Sequence, residues 1–418
     1  VLTNIPFSYL ALAMILPVLF GIGLAWRRKI GFLPGDILKM AVLAAPLILL
    51  VSAMIGSQWD EFTDWLMTPR LLLRTDAFPN RDNVHLSGAL AAYPFGWHYI
   101  AYLASKIGGR FLENAGALIN LFMLLTFGLI SARLILAGSG RAYENISRGW
   151  GLYALGGLFA TVLSTTFAQK VALTSYADVS TAAILGIAGL LGWRMLEAIS
   201  DEQESIARRY AIQIGLLMML LVNLKQSTVA LFAIFVFALF LTGLRDPRIK
   251  ITNLLRQLPW IIIPGIIIFL LWRHYVSMEL SSSEMSVRPI SQWYISYIPD
   301  ILLRMLTVLS KKGAFLILFV VVVFFGVRAA LRYRTPFDRL ALLVALVFLG
   351  HNAFLLFAYV TTFGKFDALR VASYWRYNMQ LGMLGVVFMS YGVGYAWKQY
   401  GEHRFDIRKL SWLPVLLM

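Results

Sequence analysis

The chain contains apolar run after apolar run, each close to the length that crosses a lipid bilayer. Candidate segments occupy residues 5–26, 37–56, 114–137, 150–168, 177–196, 211–224, 227–244, 259–272, 314–330, 340–362 and 377–397. A helix rises about 1.5 Å per residue, so roughly 20 apolar residues cross a hydrocarbon core of about 30 Å. The pattern predicts an all-α polytopic membrane protein with about 11 transmembrane helices, forming a single transmembrane domain over 1–418. Segments 211–224 and 259–272 are short, and 411–418 begins a further apolar stretch. Composition agrees: 59% of residues are hydrophobic and 14% charged, where soluble domains are nearer half and a quarter.

The longest interruption is 58–106, within an external loop read as 57–112. It carries Asp60, Glu61, Asp64, Asp76 and Asp82, five of the chain's 21 acidic residues. Within it, 93–107 is too short to cross a bilayer, begins near Pro94 and ends at Gly108-Gly109. Its aromatics (Tyr93, Phe95, Trp97, Tyr99, Tyr102) suit a helix lying along the membrane interface.

Charge tests that choice. With 93–107 left out as a span, loops 27–39, 133–148, 194–209, 245–256, 328–339 and 398–409 fall on one side and hold 22 of the 37 basic residues. Cytoplasmic loops are enriched in Lys and Arg. These loops are therefore expected inside, with the N-terminus and 58–106 outside. A second external loop, 274–312, combines SSSEMS with the aromatic stretch QWYISYIPD. The formal charge of +16 is accounted for by such loops, and nucleic acid is not an expected partner. The chain has no cysteine, which excludes disulfide and thiol chemistry but does not settle the compartment. The first apolar run lacks a basic leader, so no cleavable signal peptide is expected.

Candidate chemistry gathers at the external ends. Taken as an α-helix, 59–66 puts Trp59, Phe62 and Leu66 on one face and Asp60 and Asp64, one turn apart, on another. A like-charge pair tends to raise one pKa, which suits a general base; an N-cap and a solvated face give the same pattern. Lys170, Tyr176 and Asp178 come together before one apolar run, Lys225 sits between two, and Arg370, Arg376 and Tyr377 precede the last. Snorkelling basic anchors explain any one of these. A shared site explains why acids and bases recur at the same face. The five histidines show no metal-ligand spacing, and no phosphate-binding glycine loop or nucleophile elbow is present. No cofactor is predicted, and a divalent metal has no support.

At these residues the chain resembles the GT-C superfamily of membrane glycosyltransferases, in particular its protein O-mannosyltransferase and aminoarabinose-transferase branch. Asp60-Glu61 is similar to that branch's acidic pair in the first external loop. YPFGWHY is similar to its Pro-Pro surface-helix segment, with Phe95 in place of the second proline. SYAD, ending at Asp178, is similar to the second acidic site. Lys225 and Arg376-Tyr377 fall where a basic residue and an Arg-Tyr pair lie near the donor phosphate. An extra span, 5–26, precedes the helix leading into the acidic loop.

The resemblance implies sugar transfer from a polyprenyl-phosphate donor to a cell-envelope glycan, lipid or protein acceptor. The active site would be on the extracytoplasmic side of a bacterial inner (plasma) membrane. The expected catalytic acids are Asp60, Glu61 and Asp178, with Asp60 as general base and Asp178 the runner-up. The expected phosphate ligands are Lys225, Arg376, Tyr377, Arg370 and Lys170; Asp64, Tyr93, His98 and Tyr176 would support them or bind acceptor. A phosphate leaves as an anion needing little protonation, and a single in-line displacement inverts the anomeric centre. Two other readings compete. An O-antigen-type polymerase or ligase would rely on a large late external loop such as 274–312. A lipid-linked glycan flippase or transporter would hold its charges at the midplane between repeats, and no repeat is evident.

Overall fold

The computed structural model describes residues 6–27, 35–81, 92–140, 149–280, 286–401 and 412–418. Asp82, residues 141–148 of one basic loop, residues 402–409 of another and most of the SSSEMS segment lie outside these.

The elements are helical throughout the described residues. In order they are α1 (Phe7–Arg27), α2 (Gly35–Leu43), α3 (Ala45–Ser52), a π-helical turn (Glu61–Trp65), α4 (Met67–Thr75), α5 (Gly96–Ile107) and α6 (Ala115–Gly138). Then come α7 (Trp150–Ala160), α8 (Gln169–Ala172), α9 (Asp178–Ser200), α10 (Glu204–Val222), α11 (Thr228–Arg245) and α12 (Ile251–Glu279). The last are α13 (Ile298–Ser310), α14 (Gly313–Leu331), α15 (Pro336–Thr361), α16 (Lys365–Leu369), α17 (Tyr374–Met379), α18 (Gly382–Ala396) and α19 (Leu413–Leu417).

Seven described helices are long and apolar enough to cross a membrane: α6, α9, α10, α11, α12, α14 and α15. The α2–α3 pair makes an eighth if its 64° bend is one broken span. The chain is thus a multi-pass α-helical membrane protein, although eleven uninterrupted spans are not seen. The apolar run at 150–168 stops being helical at Ala160, where Thr161 leaves helical backbone angles. The run at 377–397 is divided between α17 and α18. Hydropathy registers such segments as continuous because it is blind to backbone breaks.

Burial separates core from periphery. In α9, 72% of the apolar window is buried, and in α15 61%; in α12 it is 22% and in α14 28%. The first pair forms the bundle's interior, and α12 and α14 present their apolar sides outward. Small residues let the interior helices approach closely: a Cβ on Gly394 of α18 would fall 2.1 Å from the Ile135 carbonyl oxygen of α6. Such contacts substitute for a hydrophobic driving force between helices in lipid.

The polar stretch folds as short helices across one end of this bundle. The 12 residues of α5 reach about 18 Å, too short to span. Its buried face is Trp97, His98, Ala101, Tyr102 and Ser105. Its start is fixed on the C-terminal end of α10, where the Gly96 N–H donates to the Asn223 carbonyl at 3.1 Å. Any side chain at Gly96 would meet that carbonyl at 2.5 Å. Asp76, in left-handed backbone (φ 51°) after α4, ties three elements together. It accepts from Ser8 of α1 and Tyr102 of α5, both at 2.6 Å. Burial opposes its charge, but these hydrogen bonds outweigh that and hold its carboxyl below the ordinary range. In the 274–312 segment, α13 buries Ile301, Met305 and Leu309 and exposes Leu302, Leu303 and Leu306.

Candidate active site

Five helix ends bring the charged residues to one end of the bundle. These are the start of α9 (Asp178), the α10–α11 junction (Lys225), the end of α15, the start of α17 (Arg376) and the π-helical turn after Asp60. Asp178 is the centre. It is 1% exposed and opens the first turn of α9, where the helix dipole favours a negative charge. Its Oδ1 accepts from Lys225 Nζ at 2.8 Å and from Gln380 Nε2 at 3.0 Å. Arg376 Nε lies 4.0 Å from its Oδ2. On its other side the Arg376 guanidinium is ion-paired and hydrogen-bonded to Asp60.

The site thus holds two cations and two carboxylates in a chain: Lys225, Asp178, Arg376, Asp60. Burial pushes the Lys225 ammonium below its ordinary range, with Asp178 opposing the shift. Burial also works against the Arg376 charge, but Asp178 and Asp60 overcome it and hold the guanidinium protonated. Arg376 Nε is buried with no hydrogen-bond partner, so the guanidinium keeps a donor unused. The cations are further held by aromatic faces: Lys225 Nζ lies 5.4 Å from the Trp65 ring centre, and Arg376 Cζ 5.4 Å from Tyr176 and 5.8 Å from Tyr377. Burial raises Tyr93 and Tyr176 above the usual phenol range, so both keep a hydroxyl proton to donate.

A cavity of about 680 Å³ opens against this cluster, within the range of small-ligand sites. One end is lined by Asp60, Asp64, Tyr93, Lys225, Arg376 and Tyr377. The other is apolar and runs between α11 and α15, past Val229, Ala233, Phe354, Leu355 and Ala358.

The acids of the 58–106 stretch are not equivalent. The turn containing them is a π-helix, not the α-helix expected: the Leu66 N–H reaches the Glu61 carbonyl at 2.8 Å, and such turns recur at functional sites. The face shared by Trp59, Phe62 and Leu66 is broken as a result: Leu66 is buried, while Trp59 and Phe62 are exposed. Glu61 turns away from the cavity. Its Oε1 accepts from the Ser175 N–H at 2.8 Å, and its Oε2 from the Ser57 and Gln58 N–H groups at 2.9 and 3.0 Å. Glu61 therefore staples the acidic loop to the strand of chain leading into Asp178. Trp97 and Asn120 hold the same segment, with Trp97 Nε1 donating to the Ser175 carbonyl at 2.7 Å. Asn120 Nδ2 donates to the Thr174 and Tyr176 carbonyls, both at 2.8 Å.

Arg376 is presented by a strained approach: Val371 and Ser373 both have positive φ, 49° and 59°. A β-branched residue in that region costs on the order of 1–3 kcal/mol. Contacts from α15 hold it there. Tyr359 Oη donates to the Ala372 carbonyl at 2.7 Å, and Tyr374 Oη to Asn352 Oδ1 at 2.6 Å. His351 Nε2 lies 3.1 Å from the Tyr377 carbonyl.

Two expected phosphate ligands stand apart. Arg370 is exposed and paired with Asp367 at 2.7 Å, and Lys170 is exposed on α8; neither lines the cavity. Gln380, Trp65, Asn120 and Asn352 were not singled out by sequence. A polar residue inside an apolar run is the signal that marks Asn120 and Asn352. Among the described residues no three His, Asp or Glu side chains come together as a metal site.

No family model matches the chain, and no curated protein matches it. Among solved structures, the crystal structure of ArnT from Cupriavidus metallidurans in the apo state is similar over 92% of this chain, with a TM-score of 0.51 and 14% identity. The chain spans 62% of the length of that structure. At this identity the likeness is one of fold: an ArnT-like bundle of membrane helices.

Proposed function

We propose that the protein is a glycosyltransferase that moves a sugar from a polyprenyl-phosphate donor to a hydroxyl of a cell-envelope acceptor, on the extracytoplasmic face and with inversion. The observation that carries this reading is the pairing of two cations, Lys225 and Arg376, with the polar end of a cavity whose far wall is apolar. A polyprenyl phosphate has the same division: an anionic head and a hydrocarbon tail. Lys offers phosphate a point charge and Arg a bidentate fork. Charge grows on the phosphate as the sugar leaves, and preorganised cations stabilise that growth. Asp178 and Asp60 fix where the cations stand. A transporter would carry its charges at the bilayer midplane, whereas here they lie at helix ends.

The test is incubation of the purified protein with a panel of polyprenyl-phosphate sugars, measuring release of polyprenyl phosphate. Release with at least one donor is expected; silence across the panel with well-folded protein rejects the reading.

Sidedness has its own support. The end opposite the cavity carries Arg208, Arg248, Arg256, Arg328 and Arg332 at the α9–α10, α11–α12 and α14–α15 turns, as a cytoplasmic face does. Since the chain has no cysteine, single cysteines report cleanly. Gly364→Cys, before α16 at the cavity end and with open space around it, should be labelled from outside intact cells. Glu202→Cys, in the exposed α9–α10 turn, should be labelled only after permeabilisation. The reverse pattern places the cavity in the cytoplasm.

A further inference from the structure

The proposed transfer needs a group to take the acceptor's proton, and resting on that reading we propose that Asp64, backed by His98, is that group. Four carboxylates surround the site. Glu61 is committed to three backbone N–H groups. Asp178 is buried behind Lys225 and does not line the cavity. Asp60 lines it but is engaged by Arg376. Asp64 lines it too, and among the described residues its basic neighbour within 4 Å is the His98 imidazole, with Nε2 3.6 Å from Oδ1.

His98 is the unusual member. It is 1% exposed, and neither ring nitrogen has a hydrogen-bond partner. Buried polar groups are rarely left so. The ring cannot turn away to find partners: Trp65 stacks on it at 5.0 Å and Phe95 meets it edge-on at 5.6 Å. Among the described residues, the acidic group within 4 Å of the ring is the Asp64 carboxylate. A proton shared between Nε2 and the Asp64 carboxylate would give that ring nitrogen a partner.

Trp65 joins this pair to the leaving-group side, since the same indole lies under Lys225. In the transfer, the acceptor oxygen bonds to the anomeric carbon while the bond from that carbon to the phosphate oxygen breaks. Its electron pair stays on the phosphate, and the hydroxyl proton passes to Asp64. His98 acts through Asp64: it orients the carboxylate and shares the proton. The other charged or titratable groups facing the pair are Lys225 beyond Trp65, Tyr93, and the Asp60–Arg376 ion pair across the cavity.

The first arm of the test needs no donor. In full-length protein with 15N-labelled histidine, His98→Phe keeps a ring between Trp65 and Phe95 and identifies the His98 signal among five. Asp64→Asn should change which ring nitrogen of that imidazole carries the proton, read from its two 15N shifts. Unchanged 15N shifts overturn the proposal. The second arm uses whichever polyprenyl-phosphate sugar turns over. Asp64→Asn should slow transfer by about 100-fold or more while binding of undecaprenyl phosphate stays near normal, and His98→Phe should reshape the pH–rate profile. Full transfer by Asp64→Asn, with the loss falling on Asp60→Asn, overturns it. A silent donor panel counts against the glycosyltransferase reading and leaves the histidine 15N shifts to decide the pairing.

Discussion

Arg376→Ala should stop donor turnover almost completely, with Arg376→Lys recovering only a small part. The guanidinium does two things at once: it pairs with Asp60 and turns its Nε towards Asp178. Removing it takes away a fork to phosphate and also strands two carboxylates. Losing one preorganised stabiliser of a developing charge typically costs about 100- to 1,000-fold in rate. A fall of roughly 100-fold or more in polyprenyl-phosphate release is therefore expected. Lysine restores the charge but not the fork, and its ammonium cannot reach Asp60 and a phosphate in the same plane. Retention of wild-type release by Arg376→Ala removes Arg376 from the leaving-group site. The alanine variant's helical content should stay intact, because α17 is also held by Tyr374 and Asn378 bonding to Asn352 of α15.

How far the sequence led to this site can be judged residue by residue. Lys225 was conspicuous because a lysine between two apolar runs has no loop to hide in. Asp178 and Arg376 stood at helix starts on the same expected face, and the structure brings all three together. Period-based reasoning did not reveal that Glu61 and Asp60 point to different neighbours. An α-helical register separates them by angle only, whereas the π-helical turn and the Ser175 amide decide what each one touches. Arg370 and Lys170 looked equivalent to Lys225 because charge near an apolar run reads the same whether a cavity lies beside it or not. Their exposure could only come from packing. In the same way, hydropathy marked the run at 377–397 but not the left-handed Val371 and Ser373 before it, which are set by tertiary contacts with α15.

Lys225 allows a sharper separation of fold from function. Its ammonium and the Asp178 carboxylate are both nearly inaccessible, with side chains 7% and 1% exposed. Lys225→Met alone leaves Asp178 facing Arg376 at 4.0 Å without its closest counter-ion. Asp178→Asn alone leaves a buried ammonium without the carboxylate that it donates to at 2.8 Å. Each single variant should lose about 3–5 kcal/mol of stability, read as a lower melting temperature in detergent or nanodiscs. The double variant Lys225→Met, Asp178→Asn removes both charges, and replacing a buried pair with neutral groups of similar volume is often close to neutral. It should melt near wild type. Its donor turnover should nevertheless stay down by about 100-fold or more, because the phosphate still lacks a preorganised cation. Recovery of both stability and turnover in the double variant would mean that Lys225 serves only to neutralise Asp178, leaving Arg376 as the sole ligand of the leaving phosphate. Recovery of stability alone is the result expected of a cation whose partner holds it in place for an anion yet to arrive.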